Sequence, residues 1–160
     1  MLLAGRCSNR VRPVLVMRVS IERLNLADVE EVLRLLADNN LPVDGLADHL
    51  QTALVAREGG RVVGSAALEL YRDAALLRSV AVAKDRQQHH IGRDLIIAAL
   101  DLARISGASA VYLLTTTAEQ FFPRFGFQRI AREDVPASVQ TSVEFTSACP
   151  ASAIVMRKHL

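Results

Sequence analysis

The stretch 76–127, LLRSVAVAKDRQQHHIGRDLIIAALDLARISGASAVYLLTTTAEQFFPRFGF, constrains the fold of this chain more tightly than any other. It reads as an apolar strand, a polar turn, an amphipathic helix, a second apolar strand, a short helix and a Gly-Phe stop. A strand that returns to its sheet through a helix runs parallel to the first, by a right-handed crossover. The first backbone N–H groups of a helix lack helical partners, and the helix dipole favours anions there. The turn opening this helix is therefore suited to phosphates, and a phosphate-bearing ligand beside a parallel strand pair is the expectation.

The remaining bounds are looser. A chain of 160 residues can bury a continuous core as one domain, without disulfides or metal. Hydrophobic residues make up 51% and charged residues 22%, as in a compact globular protein. The net charge of +2 is scattered, with no Lys/Arg block interleaved with aromatics, so no nucleic-acid surface is expected. Cys7 and Cys149 lie far apart with no partner motif. That argues against a disulfide framework or a zinc site and for a reduced, cytoplasmic protein without a metal. No apolar run is long enough to span a bilayer, so no membrane association is expected. Residues 1–16, MLLAGRCSNRVRPVLV, are basic and lack the apolar core of a secretory signal. They read as a flexible N-terminal extension to a domain covering 17–160.

Along that domain, 16–24 alternates as a strand. Asn25 or Asp28 can cap a helix in which Val29, Val32, Leu33, Leu35 and Leu36 recur at helical spacing, broken by Asn39-Asn40-Leu41-Pro42. A shorter helix is predicted over 44–50. Strands follow over 53–58 and 61–70, joined by a Gly59-Gly60 hairpin, then over 74–82. The helix 92–106 presents Leu95, Ala99 and Leu102 beside Ile96, Leu100 and Ala103, a wide apolar face for packing on a sheet, and Gly107 stops it. A strand over 110–115, a short helix over 118–125 closed by Gly126, and strands over 127–130 and 153–158 complete the reading. The fold class is α/β, one mixed sheet with helices on both faces.

This order of elements, with its VAV strand, polar turn, glycine and FFPRFGF segment, resembles the GNAT superfamily of acetyl-CoA-dependent N-acetyltransferases, over 17–160. Within it, LLRSVAV, YLLTTTAEQFF, the DVPASV run and CPASAIVMRKHL are similar to one branch. That branch holds the acetyltransferase domains of N-acetylglutamate synthases and the small arsenic-resistance N-acetyltransferases. The resemblance implies a splayed parallel strand pair and acetyl-CoA as co-substrate. It also implies acetylation of the α-amine of a small amino acid or analogue. Dimers are common in the superfamily, so it further implies a homodimer, although no exposed stripe picks out an interface.

The cofactor pattern falls on Gln87-Gln88-His89-His90-Ile91-Gly92, continuing to Arg93. Successive N–H groups of this turn would bind the coenzyme A pyrophosphate, with Gly92 allowing close approach. His90 replaces the first glycine of the pattern; histidine tolerates left-handed backbone better than most residues. The resemblance also places the acetyl group against the backbone of Val80, Ala81 and Val82, with an N–H donor near the developing oxyanion. Leu76 stands where many relatives carry a glutamate, and Phe122 where many carry a tyrosine. Thr115 and Thr116 are then candidates for proton handling, with strand-end capping as the alternative role. Glu69 is a candidate base acting through water. For the acceptor, Arg78 is a charged residue inside an apolar strand. It suits a carboxylate clamp, or else pairs with an acid. Ser152 lies where the synthase branch contacts its amino acid. Two other functions stay open: an acetyl-CoA-binding sensor or regulator, and acetylation of a different amine, on a peptide or an antibiotic.

Overall fold

Parallel pairing across one helical crossover positions everything that follows. The structure, a computed structural model, describes residues 18–160. The extension expected over 1–16, and the first two residues of the strand expected over 16–24, lie outside the described residues. The strands are β1 (Val19–Arg23), β2 (Ala53–Glu58), β3 (Arg61–Leu70), β4 (Ala74–Val82), β5 (Ala110–Thr115), β6 (Gln128–Ile130) and β7 (Ile154–His159). The helices are α1 (Val29–Asp38), α2 (Ile91–Ile105) and α3 (Ala137–Gln140). They build a mixed seven-stranded sheet in the order β1-β2-β3-β4-β5-β7-β6, in which β4 and β5 run parallel.

Local chemistry accounts for the main elements. The Asp28 carboxylate accepts the Asn25 N–H at 3.1 Å and the Arg57 guanidinium at 2.8 Å, which fixes the entry to α1. Gly59 and Gly60 both take positive φ, 56° and 81°, as a tight hairpin between β2 and β3 requires. The predicted stripe of α2 is buried in full: Leu95, Ile96, Ala99, Leu100, Leu102 and Ala103. Where α2 crosses β3, a Cβ on Gly64 would sit 2.8 Å from Leu95 Cδ1 and 3.1 Å from Ile91 Cγ2, so the helix approaches the sheet through this glycine.

Side chains alternate along a strand, which places Glu69 on the face opposite Gly64. That second face carries Leu76, Arg78 and Tyr112, related by the β3–β4 and β4–β5 registers. A small core of Ala74, Leu76, Ala110, Tyr112, Val135, Val139 and Val155 forms there, covered by α3.

Three expectations are corrected. The helix predicted over 44–50 is a 3-10 segment, Leu46–Thr52, interrupted by non-helical φ at His49. The helix predicted over 118–125 shrinks to a 3-10 turn, Phe122–Phe125; Pro123 has no N–H to close an α-helical bond back to residue 119. Between β6 and β7 the chain forms α3 and a π-helical turn, Glu144–Ala148, where no element was expected.

Two irregularities open the sheet. Between β3 and β4 the register moves from Ser65↔Ala81 to Ala67↔Arg78, so two steps on β3 face three on β4. This is a β-bulge. Ser79 takes up the extra residue with φ 56°, and Ser65 Oγ donates to its carbonyl at 2.8 Å. The β4–β5 pairing ends at Leu76↔Tyr112, so from residue 77 onward the β5-facing edge of β4 has no strand across from it.

Candidate active site

Beside the splay between β4 and β5 lie two neighbouring chambers. The larger, about 720 Å³, is lined by Val80, Val82, Gln87, His90, Gly92 and Arg124 among others. The smaller, about 310 Å³, has Arg78, Ser79, Thr115, Glu144, Cys149 and Pro150 in its wall. Asn39, Val80, Thr117, Ala118 and Phe122 line both. Val80 follows the bulge at Ser79 and lines both chambers, on an edge without a ladder partner.

The turn before α2 has the conformation a polyanion needs. Gln88 and His90 sit in left-handed geometry, φ 69° and 62°, and His90 is the N-cap of α2. Consecutive N–H groups at the start of the helix then point outward without helical acceptors. The Gln87 side chain donates to the Val82 carbonyl at 3.3 Å and to Asn39 Oδ1 at 3.5 Å, bracing the turn against β4 and α1. A Cβ on Gly92 would meet Phe121 and Val82 only at 3.6 Å, an ordinary contact. The chain itself does not require glycine there; the space in front of it belongs to the chamber. Of the cations in this lining, Arg86 is paired with Glu58 and Arg93 with Asp94. Arg124 lies 4.8 Å above the Phe121 ring and, among the described residues, has no carboxylate partner. His89 is exposed and stands outside the lining; Ala81 is in the lining but buried.

The smaller chamber has a charged wall. Arg78, with only 1% of its side chain exposed, donates from Nη1 to Glu69 at 2.7 Å and faces Glu144 from Nη2 at 3.0 Å. Its remaining donors reach the Asp44 carbonyl and, at 3.3 Å, Ser79 Oγ. A free bidentate clamp for an incoming carboxylate is thereby replaced by an arginine already holding two acids, the pairing that burial of a charge demands. Gly45 makes this enclosure possible: a Cβ there would lie 3.0 Å from Arg78 Nη1 and 2.6 Å from Val143 Cγ1.

Glu69 is buried away from the chamber and accepts a hydrogen bond from Tyr71 at 2.6 Å, with His49 3.5 Å away. It has no direct access to the cleft, which removes it as a water-mediated base. Burial alone would raise its carboxyl. Hydrogen bonds from Tyr71, Ser142 and Arg78 outweigh that and hold it below the usual carboxylate range. Burial and the same Glu69 bond push the Tyr71 hydroxyl up. Cys149 donates its thiol to Glu144 Oε2 at 2.7 Å; burial first, and then this carboxylate, push the thiol up to about 12.

The remaining expected residues divide. Thr115 Oγ1 accepts the Ala118 N–H at 2.9 Å, so its oxygen caps the following turn, while Thr116 is exposed in the smaller chamber's rim. Ser152 is exposed and outside both linings, although Pro150 and Ala153 on either side of it are inside. Leu76 is fully buried beneath the sheet. Phe122 lines both chambers, packed edge-on to Phe121 and Phe127. Glu144 and Asn39 are site residues that sequence reasoning missed. The Asn39-Asn40 pair was legible only as a helix breaker, and SVEFTS offered no periodicity to mark Glu144. Among the described residues, no group of three or more His, Cys, Asp or Glu side chains is placed to hold a metal ion.

The family model for the acetyltransferase (GNAT) domain matches residues 49–129, half of the chain and the part that carries both chambers' strands and the phosphate turn. The chain belongs to the GNAT acetyltransferase family. An uncharacterized N-acetyltransferase from Chlorobaculum tepidum is 31% identical over 98 residues, which are 61% of this chain and 63% of that protein. Among solved structures, Rv2747 from Mycobacterium tuberculosis, in complex with CoA and NLQ, superposes with a TM-score of 0.76 at 25% identity, covering 88% of this chain and 99% of that one. N-acetylglutamate synthase from Neisseria gonorrhoeae shares the fold, with a TM-score of 0.77 at 21% identity over 89% of this chain. The chain spans only 35% of that synthase.

The cleft of this GNAT domain fits acetyl-CoA. A left-handed turn at a helix N-terminus, a glycine with open space before it and a cationic rim suit a diphosphate, and the unpaired edge of β4 suits an extended pantetheine arm. Bound there, acetyl-CoA supplies an activated acetyl thioester. Gln87 through Arg93 would hold its phosphates, and the Val80 backbone would face its acyl end.

Proposed function

We propose that this GNAT domain transfers the acetyl group of acetyl-CoA to the α-amine of a free small amino acid or amino-acid analogue. The observation that carries this reading is the smaller chamber. At about 310 Å³ it is walled in part by Glu144, Ala148, Cys149 and Pro150 and shares Val80 with the larger chamber. A space at the lower end of the range for small-molecule sites matches the size of an amino acid. The structure of Rv2747 in complex with both CoA and NLQ supports this reading.

Orientation in this chamber, beside a fixed N–H donor, supplies the rate acceleration; an acyl thioester needs little further activation. Acceptors in the proposed class include organoarsenical amino acids, in line with the arsenic-resistance resemblance. The arsenic would sit on the acceptor and not on Cys149, whose protonated thiol is bonded to Glu144 and is a single ligand.

The test is coenzyme A release with glutamine, glutamate, phosphinothricin and an arsenic-containing analogue as free acceptors, each compared with the same residue at the N-terminus of a tripeptide. Release with a free amino acid and none with the tripeptides is the expected result. Faster turnover of the tripeptides would overturn the reading.

A further inference from the structure

The proton-accepting group for the acceptor is missing from the positions where the sequence invited it, and the smaller chamber contains a carboxylate that no motif assigned. We propose that Glu144 binds the ammonium of the acceptor and takes its first proton. This deepens the amino-acid reading above and rests on it. Among the acids of the described residues, Glu144 alone lines the chamber.

Its carboxylate is fixed by two restraints. Arg78 Nη2 meets Oε1 at 3.0 Å, and the Cys149 thiol donates to Oε2 at 2.7 Å. Its backbone N–H is held by Ser142 Oγ at 3.2 Å. A carboxylate oxygen offers about two acceptor sites, so each oxygen retains a lone pair. The side chain is 8% exposed, which leaves it in reach of the chamber and of little else. The groups facing it are Arg78 from β4, with Glu69, Tyr71 and His49 behind that guanidinium, Cys149 on its own segment, and Arg132 near that thiol.

Arg78 shares its one positive charge between Glu69 and Glu144, so it does not by itself offset both carboxylates. An α-amino acid brings an ammonium, the group that a carboxylate in the chamber wall binds. The ammonium lies against Glu144, while Arg78, its donors engaged by Glu69, Glu144, the Asp44 carbonyl and Ser79 Oγ, holds that carboxylate in place. In the transfer, one ammonium proton passes to Glu144 and on to solvent. The freed nitrogen lone pair forms the C–N bond as the thioester C–S bond breaks. The second nitrogen proton leaves with the thiolate, giving the amide and free coenzyme A.

The experiment measures binding as well as turnover. Calorimetric titration of the CoA-loaded protein with L-methionine, with its α-hydroxy analogue and with n-butylamine gives the preference for ammonium over hydroxyl. Wild type should bind methionine at least about 10-fold more tightly than the hydroxy acid. Glu144→Gln should erase that preference and lower kcat/KM about 10- to 100-fold, with affinity for acetyl-CoA unchanged within twofold. Cys149→Ala, which leaves the carboxylate charged, should keep the preference. An undiminished preference in Glu144→Gln overturns the assignment. If that variant does not fold, equal binding of the ammonium and hydroxyl probes by wild type overturns it instead. Tight binding of n-butylamine without methionine would sink the amino-acid reading while leaving the role of Glu144 to be decided by the same variant.

Discussion

Arg78 Nη2 lies 3.0 Å from Glu144 Oε1, joining a bulged sheet strand to the π-helical turn that walls the acceptor chamber. This contact spans the second face of the sheet and couples the shape of the chamber to its charge. Because the guanidinium also holds Glu69 at 2.7 Å, its removal takes the shared arginine from two buried carboxylates. Arg78→Ala should therefore cost about 3–5 kcal/mol of stability. Urea denaturation measures it directly, and a loss under about 1 kcal/mol would mean that the network relaxes into solvent. Turnover of the folded fraction should show a larger rise in KM for the amino acid than for acetyl-CoA.

The same network sets an acid limit. Glu69 is held below its unfolded value of about 4.5, so its contribution is fully present above that pH and is lost as pH falls through the lower, folded value. Thermal unfolding should show Tm falling as pH drops below about 4.5. In Glu69→Gln the starting Tm should be lower and this part of the slope shallower. An acid limb of equal steepness in the variant would assign the proton uptake to other groups.

At the phosphate turn, the backbone and the side-chain space make separate predictions. Gly92→Trp should abolish acetyl-CoA binding by filling the larger chamber beside Val82 and Phe121. His90→Gly should leave the turn intact, since glycine adopts the observed φ of 62° without the cost of roughly 1 kcal/mol that an L side chain bears there. Calorimetry with acetyl-CoA distinguishes the two variants. Unchanged affinity in Gly92→Trp would remove the turn from the cofactor site.

Cys149 provides a probe of the chamber wall. With its thiol pushed up to about 12, only a minute fraction is thiolate at pH 8, and the thiolate is the nucleophile. Peptide mapping after iodoacetamide treatment should find Cys149 alkylated far more slowly than free cysteine. Glu144→Gln removes the carboxylate that disfavours the thiolate and should speed the reaction. A fast-reacting Cys149 in wild type would contradict the Glu144 hydrogen bond.

What the sequence made legible was the periodic part of the molecule. The β2–β4 run and β5 occupy the residues the alternation predicted, and every residue of the α2 stripe is buried, because pattern and burial are the same physical statement there. The phosphate turn was readable from its strand-turn-helix context. The bulge was not: Ser79 carries no mark of a positive φ, and it is the register against β3 that forces it. Arg78 was visible as a charge in an apolar strand, but its partners come from β3 and from the segment before β7, distant pairings that local pattern does not encode. The acceptor wall was hidden for a similar reason. Residues 137–150 form short, aperiodic helices whose position depends on packing against the small core around Tyr112 and Val139.

The most direct test of acetyl transfer is a mass-spectrometric time course of purified protein with acetyl-CoA and a mixture of free amino acids. The expected result is one α-N-acetylated amino acid, formed in equal amount to the coenzyme A released and in excess over the protein present. Acetyl-CoA that binds tightly yet stays intact, with no N-acetylated product in the mixture, would contradict the account.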